Sequence, residues 1–272
     1  MCIRDSIPTV KEQIERLRAI KLSELTDFHH TFWGGSFSEI AVVGDFDSKE
    51  VQGVLEKSFG GWKSPRPFKR IAVPYLAGIG GSEDTINTPD KQMAVVAVAH
   101  SVEIRDDDPD FAALELINHV VGGGAKSRLI ERLRQKEGLS YGAFSFINAD
   151  SFDRNGVFAA GAICAPQNAD KAMAALLDEL GKVVKEGIPA AEITEAKRSY
   201  QLLFDNQLAN DDFVASVLTE GLYVGRTMDY YRKLNGKIQG LTPPEVEKAI
   251  RKYIQLQRLV KIKAGDLTKK GS

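Results

Sequence analysis

The chain contains few of the residues on which several common kinds of site depend. Its 272 residues include two cysteines, Cys2 and Cys164, and four histidines. Two cysteines do not suggest a disulfide framework, and the histidines form neither H-x-x-E-H nor H-E-x-x-H, the patterns in which many hydrolases hold a metal. No apolar run approaches the roughly 18 residues of a membrane-spanning helix. The formal net charge of −1 gives no general electrostatic reason to expect nucleic acid as a partner.

One histidine shares a predicted helix face with a carboxylate. Glu115 and His119 are four residues apart, the spacing at which two side chains on a helix meet. A catalytic zinc takes three protein ligands, and the sequence indicates no third one. We therefore expect a hydrogen-bonded structural histidine at this position and predict no metal site in this chain.

A glycine-rich segment, Gly122-Gly-Gly-Ala-Lys126-Ser127, resembles a phosphate-binding loop in part. A P-loop has glycine directly before its lysine, whereas Ala125 precedes Lys126 here and a predicted helix, not a strand, leads into the segment. Nucleotide binding is therefore not predicted. Gly122, Gly123 and Gly124 are typical of a tight turn between two helices or of a close approach of backbone to a ligand. No G-x-S-x-G motif indicates a serine nucleophile.

Periodicity and capping motifs predict helices, strands and one linker along the chain. The segment Gly60–Pro74 carries three prolines and two glycines and predicts a linker. Before the linker we expect helices at Val10–Ile20 and Leu25–Phe32, a strand at Phe37–Gly44 and a helix that Asp47 caps and that ends near Phe59. After the linker we expect four strands, at Met93–Ala99, Ser140–Asn148, Gly156–Cys164 and Leu259–Ala264. We also expect helices that start at Asp108-Pro109, Ala169, Ala190, Asp211 and the capping box Thr242-Pro-Pro-Glu245. One further helix, Arg128–Lys136, would be capped by Ser127.

The two ends of the chain repeat one pattern. The order Leu-Thr, helix, strand, Gly-Asp occurs between Leu25 and Asp45 and again between Leu241 and Asp266. A repeated ending indicates the tail of one domain followed by one whole domain. Paired strands and runs of helices indicate an α+β fold, with helices covering one face of a sheet.

An arginine and a tyrosine lie on either side of a predicted helix-to-strand turn. Arg134 and Tyr141 are seven residues apart, with Gly138 between them. A guanidinium and a phenol are directional hydrogen-bond donors, and together they could bind a substrate carbonyl and the oxyanion that forms on it. The alternative is structural: Arg134 would pair with a surface carboxylate and the ring of Tyr141 would pack.

The sequence around this pair resembles the pitrilysin/insulinase-type zinc peptidases, or inverzincins, which include the mitochondrial processing peptidases. The resemblance covers Ile7–Thr268 and rests on the segments SRLIERLRQKEGLSYG, TPDKQMAVVAVA, DDDPDFAALELINHVVGGG and LTPPEVEKAIRKY followed by AGDL. It implies repeated α+β domains, each a mainly antiparallel sheet with helices packed on one face. It also implies two halves that close around a peptide, of which only one holds zinc through H-x-x-E-H.

The resemblance assigns this chain to the half without zinc. Arg134 and Tyr141 would contact the scissile carbonyl, while zinc would sit in a partner half, formed by upstream domains or by a separate subunit. Gly122, Gly123 and Gly124 become candidate contacts to the peptide substrate. The chain would be inactive alone, and a bacterial periplasm or cell envelope is its implied location. The alternative from a different class is a non-catalytic scaffold subunit of a peptidase-like heterodimer.

The resemblance also divides the chain into four parts. Residues 1–6 resemble a translated adapter, so we expect an artefact or a disordered leader there. Residues 7–62 would be the tail of a preceding peptidase-family domain, residues 63–80 the linker, and residues 81–272 one complete C-terminal domain of the family.

Overall fold

The computed structural model describes residues 8–268. The leader expected at residues 1–6 therefore lies outside the described residues. The chain divides into two units, Met1–Ile71 and Ala72–Ser272. Among the described residues no helix combines the length and the apolar composition that crossing a membrane requires.

The described residues of the first unit form three helices and irregular segments. The helices are α1 at Val10–Ala19, α2 at Leu22–Phe32 and α3 at Ser48–Phe59. Thr9 begins α1 with a complete capping box, in which two backbone donors of the first turn are satisfied by side chains. The Asp47 carboxylate accepts two backbone N–H groups of α3, as its sequence predicts.

The strand predicted at Phe37–Gly44 is wrong. Residues 38–43 have no regular secondary structure. A β-strand needs a neighbouring strand to pair its backbone groups, and the described residues of the first unit contain none. The apolar residues that suggested the strand, such as Ile40 and Val42, are instead exposed.

The second unit contains one five-stranded sheet. Its strands lie in the order β1-β5-β2-β4-β3, so β1 and β3 form the two edges. All neighbours are antiparallel except β1 and β5, which pair in parallel. The strands are β1 at Ser82–Asn87, β2 at Ala94–Val102, β3 at Ser140–Ala149, β4 at Gly156–Cys164 and β5 at Val260–Gly265.

Helices follow and separate these strands in sequence. They are α4 at Phe111–Asn118, which continues as a π-helical turn at His119–Gly123, a π-helical segment at Ile130–Lys136, α5 at Ala169–Glu186, α6 at Ala190–Leu208, α7 at Asp211–Val224, α8 at Asp229–Gly240 and α9 at Pro243–Tyr253. Short 3₁₀ turns occur at Pro166–Asn168 and Leu256–Arg258. The predicted α+β fold with a mainly antiparallel sheet is confirmed.

The core of the second unit lies between the sheet and its helices. Alternate residues of β2, including Val96 and Val98, are buried, while those between them are exposed or half-buried. Leu176 and Leu180 of α5 are fully buried in the same cluster. One face of the sheet is therefore covered, as the sequence pattern predicts.

The start of α4 differs from its prediction. Asp108 was expected as the N-cap, but Asp110 occupies that position and the helix begins at Phe111. The Asp108 carboxylate instead accepts the backbone N–H of Arg105 at 3.0 Å and the Arg154 guanidinium at 2.9 Å. These bonds engage the side chain in the preceding turn, so it does not cap the helix.

Candidate functional site

Arg134 lies on the π-helical segment that leads into β3. The widened backbone is visible where the Glu137 N–H donates to the Arg132 carbonyl at 3.0 Å, five residues earlier. Gly138 then adopts φ +60°, a left-handed conformation that suits glycine. The Leu139 N–H donates back to the Leu133 carbonyl at 2.7 Å, which closes the turn before the strand starts.

The Arg134 side chain is exposed. It makes no hydrogen bond or ion pair with the described part of the chain. Two neighbouring arginines differ: Arg128 binds Glu192, and Arg132 binds Glu137, Asp178 and Glu179. The guanidinium donors of Arg134 are therefore available to a ligand, and the structural alternative of a surface ion pair is not observed.

Tyr141 occupies a β-bulge at the start of β3. Ser140 pairs with Cys164 and Gly142 pairs with Ile163, so Tyr141 is an extra residue between them. A bulge turns the chain locally and redirects a side chain. The tyrosine is 61% exposed, and no ring contact or hydrogen bond to the other described residues holds it. Its hydroxyl, like the guanidinium of Arg134, faces solvent.

The three glycines make a tight turn against β3. A Cβ atom on Gly122 would lie 2.3 Å from the backbone nitrogen of Ser145, and one on Gly124 would lie 2.8 Å from the His119 carbonyl. One on Gly123 would lie 2.9 Å from the Asn118 side chain. Close packing against backbone atoms thus requires glycine at positions 122 and 124, which supports the first of the two interpretations of the motif, a tight turn.

The same glycines also line a groove. It has a volume of about 700 Å³ and runs between the glycine turn and α6. Its apolar wall includes Ile130, Leu202 and Leu203, and charged residues such as Lys126 and Glu195 lie among its other lining residues. The contact of the glycines with a peptide substrate stays a prediction.

The prediction that the Ser127 side chain caps the following helix is wrong. The Ser127 hydroxyl is buried and has no hydrogen-bond partner in the described chain. Only its carbonyl serves the helix, accepting the Glu131 N–H at 2.9 Å. Its own N–H donates to the Gly124 carbonyl at 3.0 Å, so the backbone of the glycine turn sets its position.

Glu115 and His119 lie in a partly buried polar cluster with α6. His119 Nε2 is 2.7 Å from Ser199 Oγ, and the Tyr200 ring lies edge-on at 5.6 Å. Burial raises the pKa of Glu115 to about 7 and lowers the pKa of His119. The spacing of Glu115 and His119 predicts that these two side chains meet, but no local signal points to their partners Ser199 and Tyr200, which are about eighty positions away in sequence.

Among the described residues there is no cluster of three or more His, Cys, Asp or Glu side chains suited to a metal ion. The residues that are present therefore do not fit a zinc site.

Comparisons with known proteins identify the family. The family described as "Peptidase M16 inactive domain" matches residues 19–200. The non-peptidase homolog YmxG of Helicobacter pylori is 25% identical over 194 residues, which are 70% of this chain and 44% of that protein. A protein of Mycobacterium tuberculosis named as an uncharacterized zinc protease is 34% identical over 179 residues, or 65% of this chain and 40% of that protein.

A solved structure agrees in fold. The crystal structure of a peptidase M16 inactive domain from Pseudomonas fluorescens superposes with a TM-score of 0.77 at 23% identity, covering 95% of this chain and 61% of that one. The chain spans less than half the length of the curated relatives it matches. Because the family match covers more than half of the sequence, the chain belongs to the peptidase M16 family and carries its inactive domain.

Proposed function

We propose that this chain supplies the non-metal side of a zinc endopeptidase active site, with Arg134 and Tyr141 contacting the scissile carbonyl. The observation that carries the proposal is the contrast among neighbouring side chains. Arg128 and Arg132 are both bound by carboxylates, whereas Arg134 and Tyr141 are exposed and have no partner in the described chain. A side chain that stabilises the fold is normally engaged, and one that binds a ligand is available.

Two donors of this kind suit hydrolysis of an amide. Attack on the carbonyl places negative charge on its oxygen, and preorganised donors stabilise that charge. Arg134 contributes the fixed donors of a planar guanidinium, and Tyr141 contributes a phenolic O–H donor. Zinc, bound by a partner half, would supply the activated water.

We also propose the domain division given by the sequence: residues 7–62 as the tail of a preceding family domain, 63–80 as the linker and 81–272 as the C-terminal domain. The exposed apolar side chains of α1–α3 support it, because such surfaces are normally covered by the rest of a core. The zinc half would be part of the same polypeptide or a separate subunit.

The test requires this chain together with its zinc half. The gene for the zinc half is sought by sequencing the source DNA on both sides of the codon for Ile7. Hydrolysis of quenched fluorescent peptides is then measured for the wild type, Arg134→Ala and Tyr141→Phe. Each variant is expected to lower kcat by about 10²-fold, the typical effect of removing one oxyanion donor. Arg251→Ala is the control, because Arg251 is an exposed helix residue whose one ion-pair partner among the described residues is Glu247. Wild-type turnover in both variants would contradict the proposed roles.

The second candidate function is a non-catalytic scaffold subunit. It is favoured by one relative, which is named a non-peptidase homolog. A stable assembly whose other subunits lack H-x-x-E-H, and which cleaves none of the peptides, would support the scaffold. An Arg134–Tyr141 pair that affects turnover would exclude it.

A further inference from the structure

The segment that carries Arg134 has an intrinsically unfavourable backbone. Ile130–Lys136 is π-helical over seven residues, and π-helices are rare, mostly short and concentrated at functional sites. The wide turn continues into the bond from Glu137 N–H to the Arg132 carbonyl. Such a segment needs contacts from outside itself to persist, because an ordinary α-helix is the favoured backbone for the same residues.

Arg132 makes these external contacts. Its Nε donates to Glu137 at 2.8 Å, and its Nη1 donates to both Asp178 and Glu179 of α5. The guanidinium therefore joins the π-helical segment, the turn after it and a helix about fifty residues further along the chain. Burial disfavours the charge, but the bonds to the three carboxylates outweigh it and raise the pKa of Arg132 above its ordinary value.

A second arginine strengthens the same connection. Arg128 donates to Glu192 of α6 through Nε at 2.8 Å and Nη2 at 2.5 Å. Glu179 lies within 3.8 Å of Arg128 and 3.2 Å of Arg132, so one carboxylate bridges both guanidinium groups. Glu179 is buried, and a buried carboxylate is stabilised only while its cations are in place.

We propose that Arg132 is a positioning residue: by binding Glu137, Asp178 and Glu179 it holds the π-helical segment and the following turn, and thereby sets where Arg134 and Tyr141 stand. Its catalytic consequence rests on the proposed function, but its structural consequence does not. Arg132 is two residues before Arg134, and Glu137 lies between Arg134 and Tyr141. The ion pair between Arg132 and Glu137 therefore restrains the residues that connect Arg134 to Tyr141.

Hydrogen exchange on the complete chain tests the structural part. In Arg132→Met the amides of Glu137 and Leu139, which donate to Arg132 and Leu133, are expected to exchange at least about tenfold faster. Amides in β4 keep their wild-type rates. Arg251→Met, which removes an exposed pair with Glu247 on its own helix, is the matched control and leaves all of these rates unchanged.

Two milder variants keep the test decisive if Arg132→Met does not fold. Glu137→Gln removes only the ion pair between Arg132 and the turn. It should accelerate hydrogen exchange at the Leu139 amide without measurably lowering the midpoint of thermal unfolding. Arg132→Lys retains one cation but not the planar fork, so it should restore exchange only in part. Unchanged exchange at Glu137 and Leu139 in all three variants would overturn the inference, whatever the protein hydrolyses.

Kinetics of the assembled peptidase test the catalytic part. Arg132→Met is expected to lower kcat about tenfold while KM changes less than about twofold, because misplaced donors lose transition-state contacts and not substrate binding. Arg132→Lys should recover part of the loss. If Arg134→Ala lowers kcat and Arg132→Met does not, the positioning role is wrong. If Arg134→Ala itself has no effect, the proposed function fails, while the exchange data still decide whether Arg132 holds the segment.

Discussion

The two units of the chain use similar helices in opposite ways. In the described part of the first unit no residue is buried, although α1, α2 and α3 all carry apolar faces. In the second unit, helices of comparable composition bury their apolar residues in one cluster with the sheet. The exposed large apolar residues of the first unit include Val10, Leu17, Leu22, Leu25, Phe28, Phe32, Trp33, Phe37, Phe59 and Trp62.

The difference shows that an amphipathic helix sequence does not by itself produce a buried core. A helix with a good cap and an apolar stripe still depends on a surface to pack against, because most helix stability in proteins comes from tertiary contacts. The first unit has the local signals without that surface.

The largest difference is expected in backbone protection. Amides of α5 should exchange at least about 10³-fold more slowly than amides of α1 and α2, because the former open only with the core while the latter open locally. Hydrogen exchange followed by mass spectrometry measures both regions in one sample. Equal protection in α1 and α5 would show that the first unit has a core of its own.

Matched leucine substitutions should differ by several kcal/mol. Leu176 is 0% exposed and Leu25 is 54% exposed, so the same change removes buried contacts only at the first. Leu176→Ala is expected to lower the free energy of unfolding by about 2–5 kcal/mol, and Leu25→Ala by less than about 0.5 kcal/mol. Urea unfolding of the complete chain measures both. A comparable loss at Leu25 would break the contrast.

Carboxylates of the two units should respond differently to pH. Burial raises the pKa of Glu115 from 4.5 to about 7, so the folded chain keeps this proton while the unfolded chain releases it. Its contribution to stability is present below about pH 4.5 and is lost as the pH rises to about 7. Glu115→Gln should therefore reduce the stability difference between pH 5 and pH 8 by about 2 kcal/mol, measured by urea unfolding at both values.

Glu12 in the first unit is the control for this experiment. A backbone hydrogen bond from Thr9 lowers the pKa of its carboxylate, so Glu12 is ionised at both pH values. Glu12→Gln should leave the pH 5 to pH 8 difference unchanged. If the free energy of unfolding of Glu115→Gln still changes between pH 5 and pH 8 as in the wild type, another titrating group causes the change.

The smallest contrast concerns two similar capping motifs. In Thr9 with Glu12 and in Thr242 with Glu245, the threonine N–H donates to the glutamate carboxylate at 2.7 Å and the threonine hydroxyl donates to the same carboxylate. Thr242→Ala should cost about 1 kcal/mol, since α9 buries residues such as Ile250. Thr9→Ala should leave global stability unchanged and lower only the helicity of α1. Thermal unfolding and circular dichroism distinguish the two results.

Local signals in the sequence predicted much of the fold. The helix α5 begins at Ala169 as predicted, the capping box at Thr242 starts α9, and the strands β3 and β4 lie where the sequence predicts them. These features succeeded because their causes are a few adjacent residues. The strand at Phe37–Gly44 failed because its cause, a neighbouring strand, is not local.

Two elements were not predicted at all. The strand β1, with the sequence SEDTIN, is exposed along its whole length and is a strand only because β5 pairs with it. The helix α8 carries two adjacent tyrosines and an internal glycine, Gly236, and buries only Ile238. Its helical pattern is consequently weak, and packing determines its structure.

The candidate site was found partly from the sequence. The spacing of Arg134 and Tyr141 and the resemblance to the peptidase family pointed to this pair, but neither showed that the segment carrying Arg134 is π-helical. That conformation depends on Arg132 reaching Asp178 and Glu179 of α5, which lie more than forty residues away. The lack of a partner for Arg134 among the described residues and the burial that raises the pKa of Glu115 also depend on contacts between distant parts of the chain.

The position of the last strand has a consequence for the order of folding. β5 is the final strand of the described chain, yet it lies between β1 and β2 in the sheet, and its pairing with β1 joins Ser82 to Val260. During synthesis β1 therefore stays unpaired until the residues of β5 have left the ribosome. Contacts between such distant residues slow folding, and the edge of an unpaired strand is prone to aggregation during that time.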